Sequence, residues 1–171
     1  MKIKSDNLEI KIRPGTVNDI HLLFSFIQSM AEFENLEVTA TEEILKESLF
    51  GNNPAAKFFL AYINNTPVAY SVYFFSFSTM TGKRVLWLDD LFVKSEFRGK
   101  GIGKDLLAYL AKIAIQNRCG RFEWIVLDWN KSAINLYKKM GAAIMDNWRI
   151  CRVDEEQLTS IAKQIKLVKD K

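Results

Sequence analysis

A glycine-rich segment, Arg98–Lys104, joins an apolar run that ends at Val93 to a segment of helical periodicity that begins at Asp105. Its sequence is RGKGIGK, and its closely spaced glycines remove the side chains that would keep a ligand away from the backbone. A strand, a loop of this kind and a helix start together direct backbone N–H groups and the positive end of the helix dipole at one anion. The segment therefore predicts a strand–loop–helix unit that holds a phosphate group.

The spacing of these glycines excludes two common phosphate-binding motifs. The dinucleotide fingerprint requires G-x-G-x-x-G, and the P-loop requires G-x-x-x-x-G-K followed by Ser or Thr. Here the glycines are spaced G-x-G-x-G, and Asp105 follows the last lysine. The spacing that fits is R-x-x-G-x-G, formed by Arg98, Gly101 and Gly103. In this respect the chain resembles the GNAT superfamily of N-acetyltransferases, whose pyrophosphate loop holds acetyl-coenzyme A.

Length and composition place the chain among ordinary globular proteins. Its 171 residues suffice for one domain, which we expect over 1–171 with a core over about 8–154 and a C-terminal helix over about 155–168. No apolar run reaches membrane-spanning length and no signal core is present, so we expect a cytoplasmic protein. The net charge is +4, but the lysines are mostly scattered, which disfavours nucleic acid as a partner.

The few residues suited to metal binding argue against a metal site. His21 is the single histidine, and Cys119 and Cys151 do not have zinc-site spacing. We therefore expect neither a metal nor a histidine-based nucleophilic mechanism.

The hydrophobic pattern predicts an α/β (α+β) fold. Strands are predicted over 8–12, 57–63, 68–75, 85–93, 122–128 and 148–153, and helices over 20–30, 44–49, 105–116 and 132–140. This order predicts a central mixed, mostly antiparallel, twisted sheet with helices on both faces.

Two further segments carry candidate chemistry. Asp89 and Asp90 lie late in an otherwise apolar strand, just before the glycine-rich loop. Asn130 follows the next predicted strand, and Tyr137 lies seven residues farther on, which is roughly 10 Å along a helix. One helix could therefore border both the arm of a cofactor and its reacting end.

Together these segments narrow the resemblance to the diamine acetyltransferase branch, which includes the spermidine/spermine and thialysine acetyltransferases. The resemblance extends from about residue 9 to residue 160. It is carried by the motifs at 12–14, 34, 88–93, 98–103, 129–130, 135–138, 141–142 and 148–149.

The resemblance implies a role for each matching residue. For acetyl-coenzyme A, it implies strand contacts from Leu91, Phe92 and Val93, a pyrophosphate loop of Arg98, Gly99, Lys100, Gly101, Ile102, Gly103 and Lys104, and contacts from Asn130, Lys131, Ser132 and Ala133. For catalysis, it implies that Tyr137 protonates the departing thiolate and that Asp89 takes part in amine deprotonation. For the acceptor site, it implies Phe33, Glu34, Asp89, Asp90, Glu123, Trp124 and Ile125. It also implies a homodimer.

Some positions depart from the branch. Asp89 stands where Glu is usual, and Ser78 and Met80 replace an acidic residue and a tryptophan, which weakens the case for spermidine or spermine. An ordinary aspartate is a poor base for an ammonium group, so Asp89 acts through water, has a pKa raised beside Asp90, or only positions the amine. The sequence leaves open two alternatives to a small-amine enzyme, namely transfer to a protein amino group and a non-catalytic coenzyme A sensor.

Overall fold

The computed structural model describes residues 1–5 and 8–165. By its contacts the chain divides into two compact units, Met1–Leu136 and Tyr137–Lys171. The first unit contains the sheet and most of the helices.

One six-stranded sheet organises the first unit. Its strands are β1 (Lys2–Ser5), β2 (Leu8–Pro14), β3 (Lys57–Ile63), β4 (Thr66–Ser78), β5 (Lys83–Val93) and β6 (Arg121–Trp124). They lie in chain order across the sheet; the pairs from β1 to β5 are antiparallel, and β5 and β6 are parallel. The predicted mixed, mostly antiparallel sheet is thus confirmed.

The described helices fall where apolar residues recur at helical spacing. They are α1 (Ile20–Glu34), α2 (Glu42–Phe50), α3 (Ile102–Gln116), α4 (Lys131–Lys139) and α5 (Glu155–Ala162). None of these helices is long and apolar enough to cross a membrane.

Helices α1 and α2 cover one face of the sheet. Phe58, Leu60, Tyr70, Val72 and Phe92 point to this face and form a buried cluster with the apolar side of the two helices. Aromatic rings fill much of the cluster. The ring centroids of Phe26 and Tyr70 are 5.4 Å apart, and those of Tyr70 and Phe92 are 6.3 Å apart.

Helix α3 covers the opposite face. Phe59 lies next to the cluster residues in sequence but points the other way, because alternate residues of a strand face opposite sides of a sheet. Its ring packs edge to face on Tyr109 of α3, with centroids 5.2 Å apart. Helices therefore lie on both faces of the sheet, as predicted.

An ion pair ties the start of α1 to the sheet. Arg13 of β2 donates two hydrogen bonds of 2.7 Å to the carboxylate of Asp19, and a third of 2.6 Å to the Tyr62 hydroxyl. These bonds from Arg13 hold the pKa of Asp19 well below its usual range. The pair fixes where α1 begins and hence where its last residue, Glu34, comes to lie.

Strand β5 contains a β-bulge at Asp89. Leu88 is opposite Tyr73 of β4, whereas Asp90 is opposite Val72, so Asp89 is one extra residue in β5. Residues directly opposite one another share a face. Leu88 therefore points to the α3 face, whereas Asp90 and Phe92 point to the α1 face.

Strands β5 and β6 separate at the same place. Their parallel pairing runs from Val85 opposite Arg121 to Leu88 opposite Trp124, and β6 ends there. Beyond it, residues 89–93 extend β5 by about 16 Å along β4 only, among the described residues. The edge of β5 just before the glycine-rich loop therefore has no strand beside it among the described residues.

Two predicted strands differ from the structure. The strand predicted over 122–128 ends at Trp124, because the next residue of its neighbour β5 is the bulged Asp89. The strand predicted over 148–153 is wrong, since the described residues of that segment form no strand. A strand needs a partner for its backbone hydrogen bonds, and none of the described residues of the second unit forms a strand.

The described part of the second unit holds the end of α4 and all of α5. Gly141 adopts φ +91° just after α4 ends at Lys139, in agreement with the predicted helix stop. Within the C-terminal helix predicted over about 155–168, the structure forms α5 over Glu155–Ala162; residues 163–165 are not helical, and the rest of the predicted range lies outside the described residues.

Candidate active site

The glycine-rich loop has the geometry of an anion site. Gly99 and Gly101 adopt φ values of +74° and +78°, in a region that other residues enter only with strain. Helix α3 begins directly after Gly101, at Ile102. Because a glycine N-cap offers no side chain to the first N–H groups of the helix, these donors suit an anionic ligand. The space beside Gly99 is open, with no atom within 4 Å of where a Cβ would stand.

The side chain of Arg98 is held in one orientation. Its Nε donates a 2.9 Å hydrogen bond to the Val93 carbonyl at the end of β5. The guanidinium carbon lies 4.1 Å from the ring centroid of Phe33 and 5.1 Å from that of Phe92. Arg98 is therefore placed between the end of α1 and the end of β5, at the entrance of the loop.

Lys100 and Lys104 add positive charge to the loop. Lys100 donates a 3.0 Å hydrogen bond from Nζ to the Glu96 carbonyl, and its ammonium lies 5.1 Å from the ring centroid of Phe97. Lys104 is exposed in the first turn of α3. The loop that leads into the N-terminus of α3 thus carries three cationic side chains.

The three residues of β5 that are expected to contact the cofactor point alternately to the two faces of the sheet. The Phe92 side chain is buried in the core, so only its backbone is available to a ligand. Leu91 and Val93 are half-buried and, like Phe92, pair with β4 on one side only among the described strands. This edge has the donors and acceptors that an amide-containing chain requires.

Three carboxyl groups interact near the bulge of β5. Glu34 is the last residue of α1, and burial raises its pKa. Asp89 is exposed, yet nearby protein atoms desolvate its carboxyl and raise its pKa. Burial, together with the negative charges of Asp89 and Glu34, raises the pKa of Asp90 to about 6. These three residues are called the acidic cluster below.

The hydroxyl of Tyr70 lies within the acidic cluster. It is 3.0 Å from Oδ2 of Asp90 and 3.3 Å from the sulfur of Met30. Tyr70 is fully buried, and this burial, together with the neighbouring carboxylates, raises its pKa. The backbone of Asp90 is held as well, because its carbonyl accepts a 2.8 Å hydrogen bond from Ser71.

Sequence reasoning missed Tyr70. An aromatic residue in an apolar strand is typical of a core position, and only the polar hydroxyl distinguishes it from its neighbours. Finding it would have required the knowledge that Asp90 faces the same side of the sheet.

The structure places Phe33 at the loop. Its ring packs on Trp129 as well as on Arg98, with the two ring centroids 5.8 Å apart in an edge-to-face arrangement. Asn130, next in sequence, uses its side-chain oxygen to cap α4 by accepting a 3.1 Å hydrogen bond from the Ala133 amide. Lys131 donates a 2.6 Å bond to the Asp128 carbonyl.

The β6 residues expected at the acceptor site have partners of their own. Glu123 forms a 2.9 Å ion pair with Arg121, and Trp124 packs on Phe122 with ring centroids 4.7 Å apart. Ile125 lies just after the strand and is exposed. Of the predicted acceptor residues, only Glu34, Asp89 and Asp90 form the acidic cluster.

Tyr137 begins the second unit. Its side chain projects from α4, and its carbonyl accepts hydrogen bonds from the Met140 and Ala142 amides at 3.1 and 3.0 Å.

Within residues 1–5 and 8–165, no group of three or more His, Cys, Asp or Glu side chains could hold a metal ion.

The amino-acid sequence matches a known family. A sequence model of the acetyltransferase (GNAT) family matches residues 24–142. The chain belongs to the GNAT family of acetyltransferases.

Relatives of this GNAT protein cover nearly the whole chain. It is 34% identical over 166 residues to thialysine N-epsilon-acetyltransferase of Sus scrofa, covering 90% of this chain and 97% of the relative. It is 32% identical over 200 residues to L-ornithine N5-acetyltransferase of Arabidopsis thaliana, covering 90% of this chain and 88% of the relative.

Solved structures share its fold. An integron cassette protein from the mobile metagenome of V. cholerae has a TM-score of 0.75 and 26% identity, with 90% of this chain and 98% of the other covered. A predicted acetyltransferase from Clostridium acetobutylicum, solved with acetyl-CoA, has a TM-score of 0.69 and 22% identity, with 84% and 96% covered. The GNAT fold predicted from the sequence is confirmed.

Proposed function

We propose that this GNAT protein transfers the acetyl group of acetyl-coenzyme A to a primary amine of a small diamine, polyamine or lysine-like acceptor. The observation that carries the proposal is the acidic cluster of Glu34, Asp89 and Asp90, since ionised carboxylates attract ammonium groups. Relatives named for thialysine and ornithine support an acceptor of this class.

The glycine-rich loop fits the diphosphate of the cosubstrate. The positive-φ glycines, the start of α3 and the charges of Arg98, Lys100 and Lys104 all favour an anion at one point. The edge of β5 at Leu91 and Val93, beside which no described strand lies, offers amide partners for the pantetheine arm. When bound, acetyl-coenzyme A supplies an activated thioester, so the protein needs only to orient and polarise the reactants.

The acidic cluster suits an acceptor with more than one amino group. One ammonium must lose its proton before it can react, whereas a second keeps its charge and can pair with a carboxylate. A lysine-like amine costs about 4.6 kcal/mol to deprotonate at pH 7. We propose that Asp89 contacts the reacting amine and takes part in this deprotonation, while Glu34 and Asp90 hold the positive charge of the acceptor.

Comparing paired amines tests the proposal. With acetyl-coenzyme A, 1,4-diaminobutane should give kcat/KM at least about tenfold higher than butylamine, because one charged hydrogen bond stabilises binding by about 1.5–3 kcal/mol. Thiol release measures the rate, mass spectrometry of the product identifies the acetylated nitrogen, and lysine, thialysine, ornithine and spermidine complete the panel. Equal rates for diamine and monoamine would refute the acceptor class.

A Glu34→Gln variant tests whether this carboxylate holds the second amino group. It should lower kcat/KM for the diamine and leave that for butylamine nearly unchanged, so that the ratio of the two falls. Turnover with peptides but with none of the small amines would instead favour a protein acceptor. Binding of acetyl-coenzyme A without thiol release from any amine would favour a sensor.

Phe33 is expected to act on cosubstrate affinity through Arg98. Phe33→Leu removes the ring on which the guanidinium rests, and such a contact is worth about 0.5–1 kcal/mol at an exposed site. We expect KM for acetyl-coenzyme A to rise about two- to fivefold with little change in KM for the amine. Phe77→Leu, at an exposed aromatic residue of β4, is the control in the same kinetic assay. A change confined to the KM of the amine would instead show that Phe33 belongs to the acceptor site, as the resemblance implies.

We further propose that the enzyme assembles as a homodimer, as the resemblance implies, and that it works in the cytoplasm.

A further inference from the structure

The Tyr70 hydroxyl is the polar group that the proposed function leaves without a role. It belongs to a fully buried side chain in the middle of β4, where Phe would pack equally well between Phe26 and Phe92. A buried hydroxyl requires a hydrogen-bond partner, and this one has two, the carboxylate of Asp90 and the sulfur of Met30.

Two acceptors allow this hydroxyl to serve both protonation states of Asp90. A hydroxyl has one proton to donate and lone pairs with which to accept. When Asp90 is ionised, Tyr70 donates its proton to Oδ2. When Asp90 is protonated, the carboxylic acid can donate to the tyrosine oxygen, and the tyrosine proton can turn to the Met30 sulfur, which is a weak acceptor.

We propose that Tyr70 is a positioning residue that keeps the Asp90 carboxyl directed at the acceptor amine whether or not that carboxyl carries a proton, with Met30 as its alternative acceptor. The proposal rests on the amine acetyltransferase function proposed above. It assigns a specific contribution to a side chain that does not itself touch either substrate.

The charged groups around Asp90 determine how it titrates. Asp89 precedes it on β5, Glu34 faces it from the end of α1, and Tyr70 faces it from β4. Both carboxylates and burial favour the protonated form, whereas the hydrogen bond from Tyr70 favours the ionised form. Removing the hydroxyl therefore raises the pKa of Asp90. Removing the Met30 sulfur takes away the acceptor that Tyr70 uses when Asp90 is protonated. This change destabilises the protonated form of Asp90 and therefore lowers the pKa of Asp90.

Opposite shifts in two variants are the signature of this arrangement. We expect Tyr70→Phe to move the titration of Asp90 upward by about one pH unit, and Met30→Leu to move it downward by a smaller amount. Carbon-13 NMR of the aspartate carboxyls follows this titration in the free enzyme, without any substrate. The acidic limb of kcat/KM for the diamine should move in the same direction as the NMR midpoint.

Tyr73→Phe is the control variant. Tyr73 lies on the same strand, points to the opposite face and packs on Phe59, with ring centroids 6.5 Å apart. It should leave the titration of Asp90 and the pH profile in place. A Tyr70→Phe enzyme whose Asp90 titrates as in the parent, or shifts no more than in Tyr73→Phe, would overturn the proposal.

The NMR titration separates this proposal from the function on which it rests. If no amine is acetylated but the opposite shifts are found, the hydrogen-bond arrangement stands and the proposed function fails. If amines are acetylated but the shifts are missing, the function stands and Tyr70 is only a core residue.

Discussion

Asp90→Asn should lower kcat/KM for a diamine by about 100-fold and, at the same time, stabilise the fold. The loss of activity follows from the proposed role of Asp90 in holding the acceptor, because removing a partly buried charge from such a contact typically costs about 2–5 kcal/mol of binding. The gain in stability follows from the pKa of about 6, which lies above the ordinary value of 3.8. Steady-state kinetics and thermal unfolding measure the two effects on one preparation.

The pH dependence of the stability gain has a definite sign. Because the folded pKa is raised, the native protein binds a proton at Asp90 more readily than the unfolded chain between about pH 4 and pH 6. The free energy of unfolding therefore falls as pH rises through this range, and the ionised carboxylate costs about 2–3 kcal/mol above it. Asp90→Asn should exceed the parent in stability by up to this amount at pH 7.5 and by little at pH 4.

Asp89→Asn provides the comparison on the neighbouring residue. Since Asp89 is exposed, its replacement should change the stability less, while its effect on the rate should be greatest at low pH, where free amine is scarcest. An Asp90→Asn enzyme with full activity would show that Asp90 does not hold the acceptor, whatever its stability.

Tyr137→Phe should lower kcat by about 100-fold with little change in KM for acetyl-coenzyme A. We propose that Tyr137 is the general acid that the resemblance implies; a positioned general acid contributes about 10²- to 10⁴-fold to a rate, and phenylalanine has no proton to give to the departing thiolate. Pre-steady-state thiol release measures the chemical step, and equilibrium titration with coenzyme A measures binding.

Tyr109→Phe is the control for the loss of a tyrosine hydroxyl. Tyr109 packs on Phe59 from α3, on the face opposite the acidic cluster, and its replacement should leave kcat unchanged. Unchanged turnover in Tyr137→Phe would remove the general-acid assignment. If Tyr137→Phe lowered turnover and coenzyme A affinity to the same extent, Tyr137 would have a structural role instead.

The strand–loop–helix unit could be predicted from the sequence because its chemistry is local. Gly99 and Gly101 occupy backbone conformations that favour glycine, and α3 starts where the glycines end. The alternation of apolar residues likewise sets the long antiparallel strands, whose pairing needs only short connections. In both cases the determining residues are close neighbours in the chain.

The composition of the acidic cluster could be predicted only in part. The resemblance gave Glu34, Asp89 and Asp90, but it gave Glu123 as well, which pairs with Arg121 instead. Tyr70 could not be found, because its importance depends on a contact between strands that the sequence does not specify. The strand expected over 148–153 has the alternating pattern of a strand but lacks a partner among the described residues of its unit, and pattern alone does not supply one.

The extra residue at Asp89 links the acidic cluster to the hydrophobic core. If Asp89 instead took a regular place in β5, with no bulge, the carboxyl of Asp90 and the ring of Phe92 would both turn toward α3 and Leu91 would lie beneath α1. A protein with an uninterrupted strand here would therefore lose a core aromatic ring at the moment it lost its acceptor charge. The packing of the interior beneath α1 and the direction of the Asp90 carboxyl therefore depend on the same inserted residue.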